Sequence, residues 1–176
     1  MNDVSKIAKA FHFAAEKHSD QRRKGTRAEP YVNHVAEVAA LLAEHTGGRD
    51  TDLIVAGLLH DTVEDVDVTY EEIEKEFGAN VAHLVSEVTD DKSLPKAERK
   101  RLQIEHAAHA SPRAKMLKIA DKTANLRTLL ESAPPDWTET RITEYFEWSK
   151  KVVDNCRGVN TGLEAGFDKL YRLKMG

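Results

Sequence analysis

Six residues at four places in the chain carry groups that could act on one metal ion and its substrate. They are His34, the pair His60-Asp61, the pair Glu64-Asp65, and Asp121. His60 and Asp61 follow directly on the apolar residues 53–59, in the stretch GLLHDTVED. A segment that reads as core and then ends in ionisable groups needs something to offset the cost of burying charge. Asp121 is set among Met116, Leu117, Ile119 and Ala120, and His34 shares an amphipathic segment with Val35, Val38, Leu41 and Leu42. Taken singly, each has an ordinary reading. His34 could be a hydrogen-bonded core or surface histidine, Asp121 an ion pair with Lys118 or Lys122, and Glu64, Asp65 and Asp67 the solvated side of a loop. One divalent ion accounts for His34, His60, Asp61 and Asp121 together, and two imidazoles with two carboxylates suit manganese, iron or zinc.

Neighbours on a helix point about 100° apart, so His60 and Asp61 can converge on one ion only at a helix end. Coordination positions would stay open, and a divalent ion can lower the pKa of its water from roughly 15.7 to about 7. If the helix continues one more turn, Glu64 and Asp65 stand four residues beyond His60 and Asp61. On those faces they could hold that water and accept its proton.

The elements that must position these groups read as helices nearly throughout. Ile7, Phe11, Ala14 and Ala15 mark the apolar stripe of a first helix. The polar basic loop DQRRKGTRAEP separates it from a second helix, which Gly47-Gly48 ends. Asp50 or Thr51 can cap a third, running to about Asp61. Residues 69–72, TYEE, form a capping-box pattern opening a helix through Phe77, with Gly78 as its stop. Val81, Leu84, Val85 and Val88 mark another, and the loop TDDKSLPK leads into a basic helix. Ser111-Pro112 starts a helix through roughly Leu130. Pro134-Pro135 breaks the chain, and two last helices cover about 138–156 and 161–174. No stretch reads as a strand. The expectation is a compact all-α fold in a single domain, residues 1–176.

Composition narrows the function. With 26 basic and 30 acidic residues, net charge −4, nucleic-acid binding by overall charge is not expected. A local basic pocket is: Arg22, Arg23 and Lys24 gather in one loop, and Lys92, Lys96, Arg99, Lys100 and Arg101 form a second cluster. Most of residues 99–101 is expected on a solvated helix face. Tyr145, in EYFEW, could stack on a purine, while Phe146 and Trp148 read as packing. His12, His18, His45, His83, His106 and His109 read as ordinary. A single cysteine, Cys156, allows no intramolecular disulfide and fits a reducing, cytoplasmic setting. The N-terminal residues are charged throughout, unlike a signal peptide, and no segment approaches the ~18 apolar residues of a membrane span. The oligomeric state stays open.

The order H…HD…D resembles the HD-domain metal-dependent phosphohydrolases. QRRKG, EPYVNH, LLHDTVED, EEIEKEFGANV, EVTDDKSLPKAERKR, KIADKTANLR and RITEYFEWSKKVV resemble, more narrowly, the alarmone hydrolases. These comprise the hydrolase half of the stringent-response synthetase/hydrolases and the stand-alone metazoan SpoT-homologue family. The ED that closes HDTVED belongs to this branch. The resemblance runs from about residue 5 to the C-terminus. It implies an HD-domain helical fold of about ten helices, usually with manganese, one ion per chain. It also implies hydrolysis of the 3′-pyrophosphate of guanosine tetraphosphate or pentaphosphate (ppGpp or pppGpp), giving GDP or GTP and pyrophosphate; 176 residues are too few for the synthetase domain of the bifunctional enzymes as well, so a hydrolase only is expected. It assigns His34, His60, Asp61 and Asp121 to the metal, and Glu64 and Asp65 to orienting or deprotonating the attacking water. Arg23, Lys24, Lys96, Asn125, Arg141 and Tyr145 match substrate contacts. Val35 stands where proline is common, and Thr123-Ala124 replaces bulkier residues, which is expected to widen the pocket near the nucleotide. The same site could also serve as an NADPH 2′-phosphatase or nucleotide phosphatase, or as a nucleotide sensor without turnover.

Overall fold

Capping chemistry sets most of the helix starts. Asn2 accepts from Ser5 N to open α1 (Asp3–Lys17), and the Asp50 carboxylate accepts from Leu53 N to open α3 (Thr51–Leu59). Thr69 accepts from Glu72 N at the start of α5 (Tyr70–Phe77). Only half of a capping box forms there, because the Glu72 carboxylate pairs with Lys17 of α1 at 3.0 Å. Ser111 caps α8 (Pro112–Glu131), with Pro112 in the first turn, and Thr138 caps α9 (Glu139–Asp154). Gly47 takes a left-handed φ of 61° to end α2 (Val32–Thr46). α4 (Thr62–Asp65), α6 (Ala79–Val88), α7 (Lys96–His109) and α10 (Thr161–Met175) complete the chain. This computed structural model describes residues 2–176, and its ten helices match the all-α expectation. Among the described residues the only β-type pairing is an isolated bridge between Arg22 and Pro30.

α3 is the axis of the fold. Every residue from Leu53 to Leu59 is buried, and the helix packs against α1, α2, α6 and α8. Gly57 permits the closest of these approaches: a Cβ there would lie 2.8 Å from Leu42 Cδ1 and 3.3 Å from Ala39 Cα. α2, which carries His34, is thereby drawn against the helix that leads into His60. The third helix stops earlier than expected, at Leu59. His60 and Asp61 form the turn beyond it, and α4 is a separate helical turn.

α1 also departs from its expected stripe. Phe11 is 45% exposed, whereas Ala10 and Ala14 are fully buried and His18 is 1% exposed. The core face is therefore rotated one position, along Ala10, Ala14 and His18, and the neighbouring Phe13 packs edge-on against Phe77 of α5. The basic loop after α1 is held close to the end of α8. Arg23 N donates to Glu29 O at 2.8 Å, and Arg27 N donates to Ser132 Oγ at 3.0 Å. At Gly25 a Cβ would sit 2.1 Å from the Ser132 carbonyl oxygen, so this contact needs a residue without one.

Candidate metal centre and nucleotide pocket

Three elements bring the four candidate ligands together. α2 supplies His34, the turn after α3 supplies His60 and Asp61, and the middle of α8 supplies Asp121. Donor atoms of His34, His60 and Asp121 all lie within 4.8 Å of one another. Asp61 joins them: its Oδ2 is 3.1 Å from His60 Nε2 and 3.6 Å from His34 Nε2. Asp121 Oδ1 is 3.1 Å from His34 Nε2 and 3.7 Å from His60 Nε2.

The residues fit a divalent cation on their own chemistry. His60 Nδ1 lies 2.8 Å from the Gly57 carbonyl oxygen, which requires a proton on that nitrogen. In the neutral ring Nε2 is then a lone pair, buried and without a hydrogen-bond donor among the described residues, facing two carboxylates. Lone pairs converging on one point call for a positive charge between them. Without a cation a proton takes that place. Burial opposes a charged His60, but Asp61 and Asp121 outweigh it and raise its pKa well above the ordinary histidine value. Burial similarly opposes an ionised Asp61, yet His60 holds its carboxyl well below the usual range. Metal binding must displace that proton, so affinity is expected to rise with pH through the neutral range. Calorimetry in buffers of different ionisation enthalpy would detect the released proton; pH-independent affinity without proton release would contradict this.

Two side chains that the sequence reading did not single out as site residues hold the carboxylates. Tyr31, just before α2, donates its hydroxyl to Asp61 Oδ2 at 2.6 Å. Lys122, 5% exposed, pairs with Asp121 Oδ2 at 2.9 Å and lies 4.6 Å above the Trp148 ring. Of the two lysines considered as partners for Asp121, Lys122 makes the contact, while Oδ1 remains turned to the histidines and to Asn125 Nδ2 at 2.8 Å. Tyr31 lies three residues before His34, which puts both on one helical face, and that spacing was the available signal. Tyr31→Phe is expected to weaken metal binding about ten-fold, as loss of an outer-shell partner does. A chelator competition giving wild-type affinity would remove that role.

Glu64 and Asp65 face different cavities. Glu64 lines a cavity of about 220 Å³ with His34, Asp61, Asp121, Lys96, Arg99 and Lys100. It accepts from Asp90 N at 3.2 Å, and burial, with Asp61 and Asp90 nearby, pushes its carboxyl up to about 7. Asp65 borders a cavity of about 330 Å³ with Arg23, Lys24, Asn125, Trp137 and Tyr145. It is held by Lys92 at 2.5 Å and Gln21 Nε2 at 2.9 Å. Neighbours on a helical turn point about 100° apart, which turns Glu64 and Asp65 to different cavities, and because α4 restarts after a turn neither continues a face of α3.

The expected substrate contacts gather around these cavities. Arg23 donates to Asn125 Oδ1 at 2.9 Å and Thr128 Oγ1 at 3.1 Å. Arg141 stacks 4.3 Å above the Trp137 ring, in an adjoining cleft with Lys96 and Lys100. Tyr145 borders all three spaces. Its ring is flanked by Trp137 at 5.7 Å, Trp148 at 5.2 Å and the Lys100 ammonium at 5.6 Å, which leaves little free face for a purine. Three expectations are corrected. Arg99 and Lys100 are not on a solvated face: with Lys96 and Gln103 they form an i, i+3, i+4, i+7 stripe facing the site, and only Arg101 pairs outward, with Glu98 and Glu105. Thr123 and Ala124 are buried in the core and border neither cavity, so they do not widen the pocket. His18 is not ordinary: it is buried under Tyr31, with ring centroids 4.9 Å apart, and contacts Gln21.

An all-helical fold with an H…HD…D cluster at its centre and an acidic pair one step further on defines a class. The HD domain family model matches residues 10–145, and the chain belongs to that family and, within it, to the MESH1-type hydrolases described next. The guanosine-3′,5′-bis(diphosphate) 3′-pyrophosphohydrolase MESH1 of Xenopus tropicalis is 51% identical over 170 residues, covering 97% of this chain and 95% of the relative. The Homo sapiens protein of the same name is 49% identical, covering 97% and 96%. A solved structure described as a metazoan orthologue of SpoT that hydrolyses ppGpp and plays a role in starvation responses superimposes with a TM-score of 0.93. It is 50% identical, with coverage of 97% of this chain and 96% of that one.

Proposed function

We propose that residues 1–176 act as one catalytic domain, a manganese-dependent hydrolase that removes the 3′-pyrophosphate of ppGpp and pppGpp. The observation that carries this reading is Glu64 set beside the His34, His60, Asp61 and Asp121 cluster, in a cavity walled by Lys96, Arg99 and Lys100. A site for a polyanion needs such a local positive wall in a chain of net charge −4. The near full-length likeness to named ppGpp pyrophosphohydrolases selects the substrate from among phosphate esters. A reducing cytoplasmic setting accords with Cys156, a buried free thiol. No helix among the described residues is long and apolar enough to cross a membrane.

In this reading His34, His60, Asp61 and Asp121 hold one divalent ion, which would supply an activated water and draw charge off the phosphoryl oxygens. The nucleoside occupies the larger cavity, where Arg23, Lys24, Tyr31 and Trp137 offer charge and apolar surface. The 3′-pyrophosphate lies toward Lys96, Arg99 and Lys100. Glu64 accepts the proton of the attacking water, and Asp65 orients from the nucleotide side. Attack at the phosphorus next to the 3′-oxygen breaks that P–O bond. The leaving 3′-oxygen takes up a proton from solvent as Glu64 returns its own, so that GDP or GTP leaves with a free 3′-hydroxyl and pyrophosphate carries the added oxygen.

Tyr145 contributes through its hydroxyl, which lies within electrostatic reach of Lys122 and Asp121. Tyr145→Phe is therefore expected to raise KM about ten-fold with kcat nearly unchanged, consistent with a hydrogen bond to a charged group worth about 1.5–3 kcal/mol. An unchanged KM would remove the hydroxyl from the binding set. A substrate panel of ppGpp, pppGpp, NADPH and GMP at fixed manganese tests the assignment itself. The guanosine polyphosphates should give the highest kcat/KM, and a preference for NADPH would overturn it.

A further inference from the structure

Asp65 is held by Gln21, which borders the same cavity, and Gln21 is in turn held by the buried His18; neither has a place in the reaction described so far. Gln21 Nε2 donates to Asp65 Oδ2 at 2.9 Å, and Gln21 Oε1 lies 2.6 Å from His18 Nδ1. The carboxylate decides which way the amide points. With Gln21 turned over, its oxygen would face Asp65 Oδ2, acceptor against acceptor. Oε1 must therefore face His18, and His18 Nδ1 must carry the proton. This choice leaves His18 Nε2 buried without a partner among the described residues. A buried polar atom without a partner costs stability, commonly about 1–3 kcal/mol. A phenylalanine would fill the same space without that cost at Nε2, but it would leave Gln21 Oε1 without its donor.

From this we infer that His18 and Gln21 are positioning residues for the hydrolase site. Through the chain His18 Nδ1–H to Gln21 Oε1 and Gln21 Nε2–H to Asp65 Oδ2, they hold the Asp65 carboxylate in one orientation at the wall of the nucleotide cavity. Lys92 fixes the other oxygen, Oδ1, from solvent at 2.5 Å. His18 reaches the site by a second route as well, since its ring packs on Tyr31, whose hydroxyl holds Asp61. The expected sequence signal is a histidine three residues before a glutamine at the C-terminal end of α1, where the buried stripe Ala10, Ala14, His18 finishes.

The test separates the hydrogen bond from the ring. His18→Phe keeps the ring and its packing on Tyr31 and removes the donor. His18→Asn removes the ring and returns an N–H close to the position of Nδ1. Expected for the Phe variant is a fall in kcat of roughly ten-fold, in the range of outer-shell losses, with KM and Tm little changed, since the donor lost by Gln21 Oε1 offsets the relief at Nε2. The Asn variant should recover kcat to within about two- to three-fold of wild type in spite of its lower Tm. Wild-type kcat in the Phe variant would overturn the inference, as would equal loss in both, which would assign His18 to packing. The inference rests on the hydrolase reading, and wild-type turnover of ppGpp checks that reading separately. A second measurement is independent of activity: the ring 15N shifts of His18 in the metal-free protein should show a protonated Nδ1 and a bare Nε2. The opposite tautomer would overturn the chain of hydrogen bonds.

Discussion

Asp61→Ala is expected to lose its metal and, with it, its turnover. Asp61 Oδ2 stands 3.1 and 3.6 Å from the two histidine nitrogens and accepts the Tyr31 hydroxyl at 2.6 Å. Sitting in the α3 turn, it reaches His34 of α2 and the Tyr31 hydroxyl just before that helix. Its loss leaves two buried imidazoles facing Asp121 alone, and one negative charge fewer to hold a divalent ion. Outer-shell changes already cost roughly 10–100-fold in affinity or activity, so removing a ligand should cost at least the upper end, about 100-fold. Elemental analysis after gel filtration, with ppGpp turnover on the same sample, reads both. A full complement of metal in the variant would reject Asp61 as a ligand.

The second large effect is expected from Glu64→Gln. The amide keeps the shape and can still meet Asp90 N, but cannot accept a proton from water. General-base contributions run to roughly 10²–10⁴-fold, and kcat should fall in that range with metal content and KM little changed. Stability should move the other way. Burial, with Asp61 and Asp90 close by, pushes the Glu64 carboxyl up to about 7 in the metal-free fold. A carboxyl whose pKa is higher folded than unfolded binds more protons when folded, so the fold loses stability as pH rises from about 4.5 through 7. Glutamine removes that cost. The metal-free variant should therefore melt at or above the wild-type temperature at pH 8, and the difference should vanish at pH 5. A variant that melts lower at both pH values and keeps full turnover would contradict the role given to Glu64.

Much of this was legible in the sequence because the signals were local. The caps Thr69, Ser111 and Asp50, the stops at Gly47 and Gly78, and the apolar α3 are each written within a few residues. The H…HD…D order stood out because ionisable groups follow core residues. What stayed hidden was the choice between neighbouring faces. α1 turned out one position away from the expected stripe because Phe13 had a partner, Phe77, sixty-four residues on. Arg99 and Lys100 looked solvated because a basic helix usually is, although their spacing with Lys96 and Gln103 already marked one face. Tyr31, Lys122 and the His18–Gln21 pair act on the candidate ligands and Asp65 from outside the cluster, and only the packing of α1, α2 and α8 brings them there.

The central claim is a metal-dependent cleavage at the 3′-pyrophosphate, and one assay addresses it directly. Protein stripped with chelator is incubated with ppGpp, with and without restored manganese, and the products are separated by anion exchange. GDP and pyrophosphate, formed only when manganese is restored, are the predicted result. Turnover that is unaffected by chelation, or a product that retains a 3′-phosphate, would contradict the account.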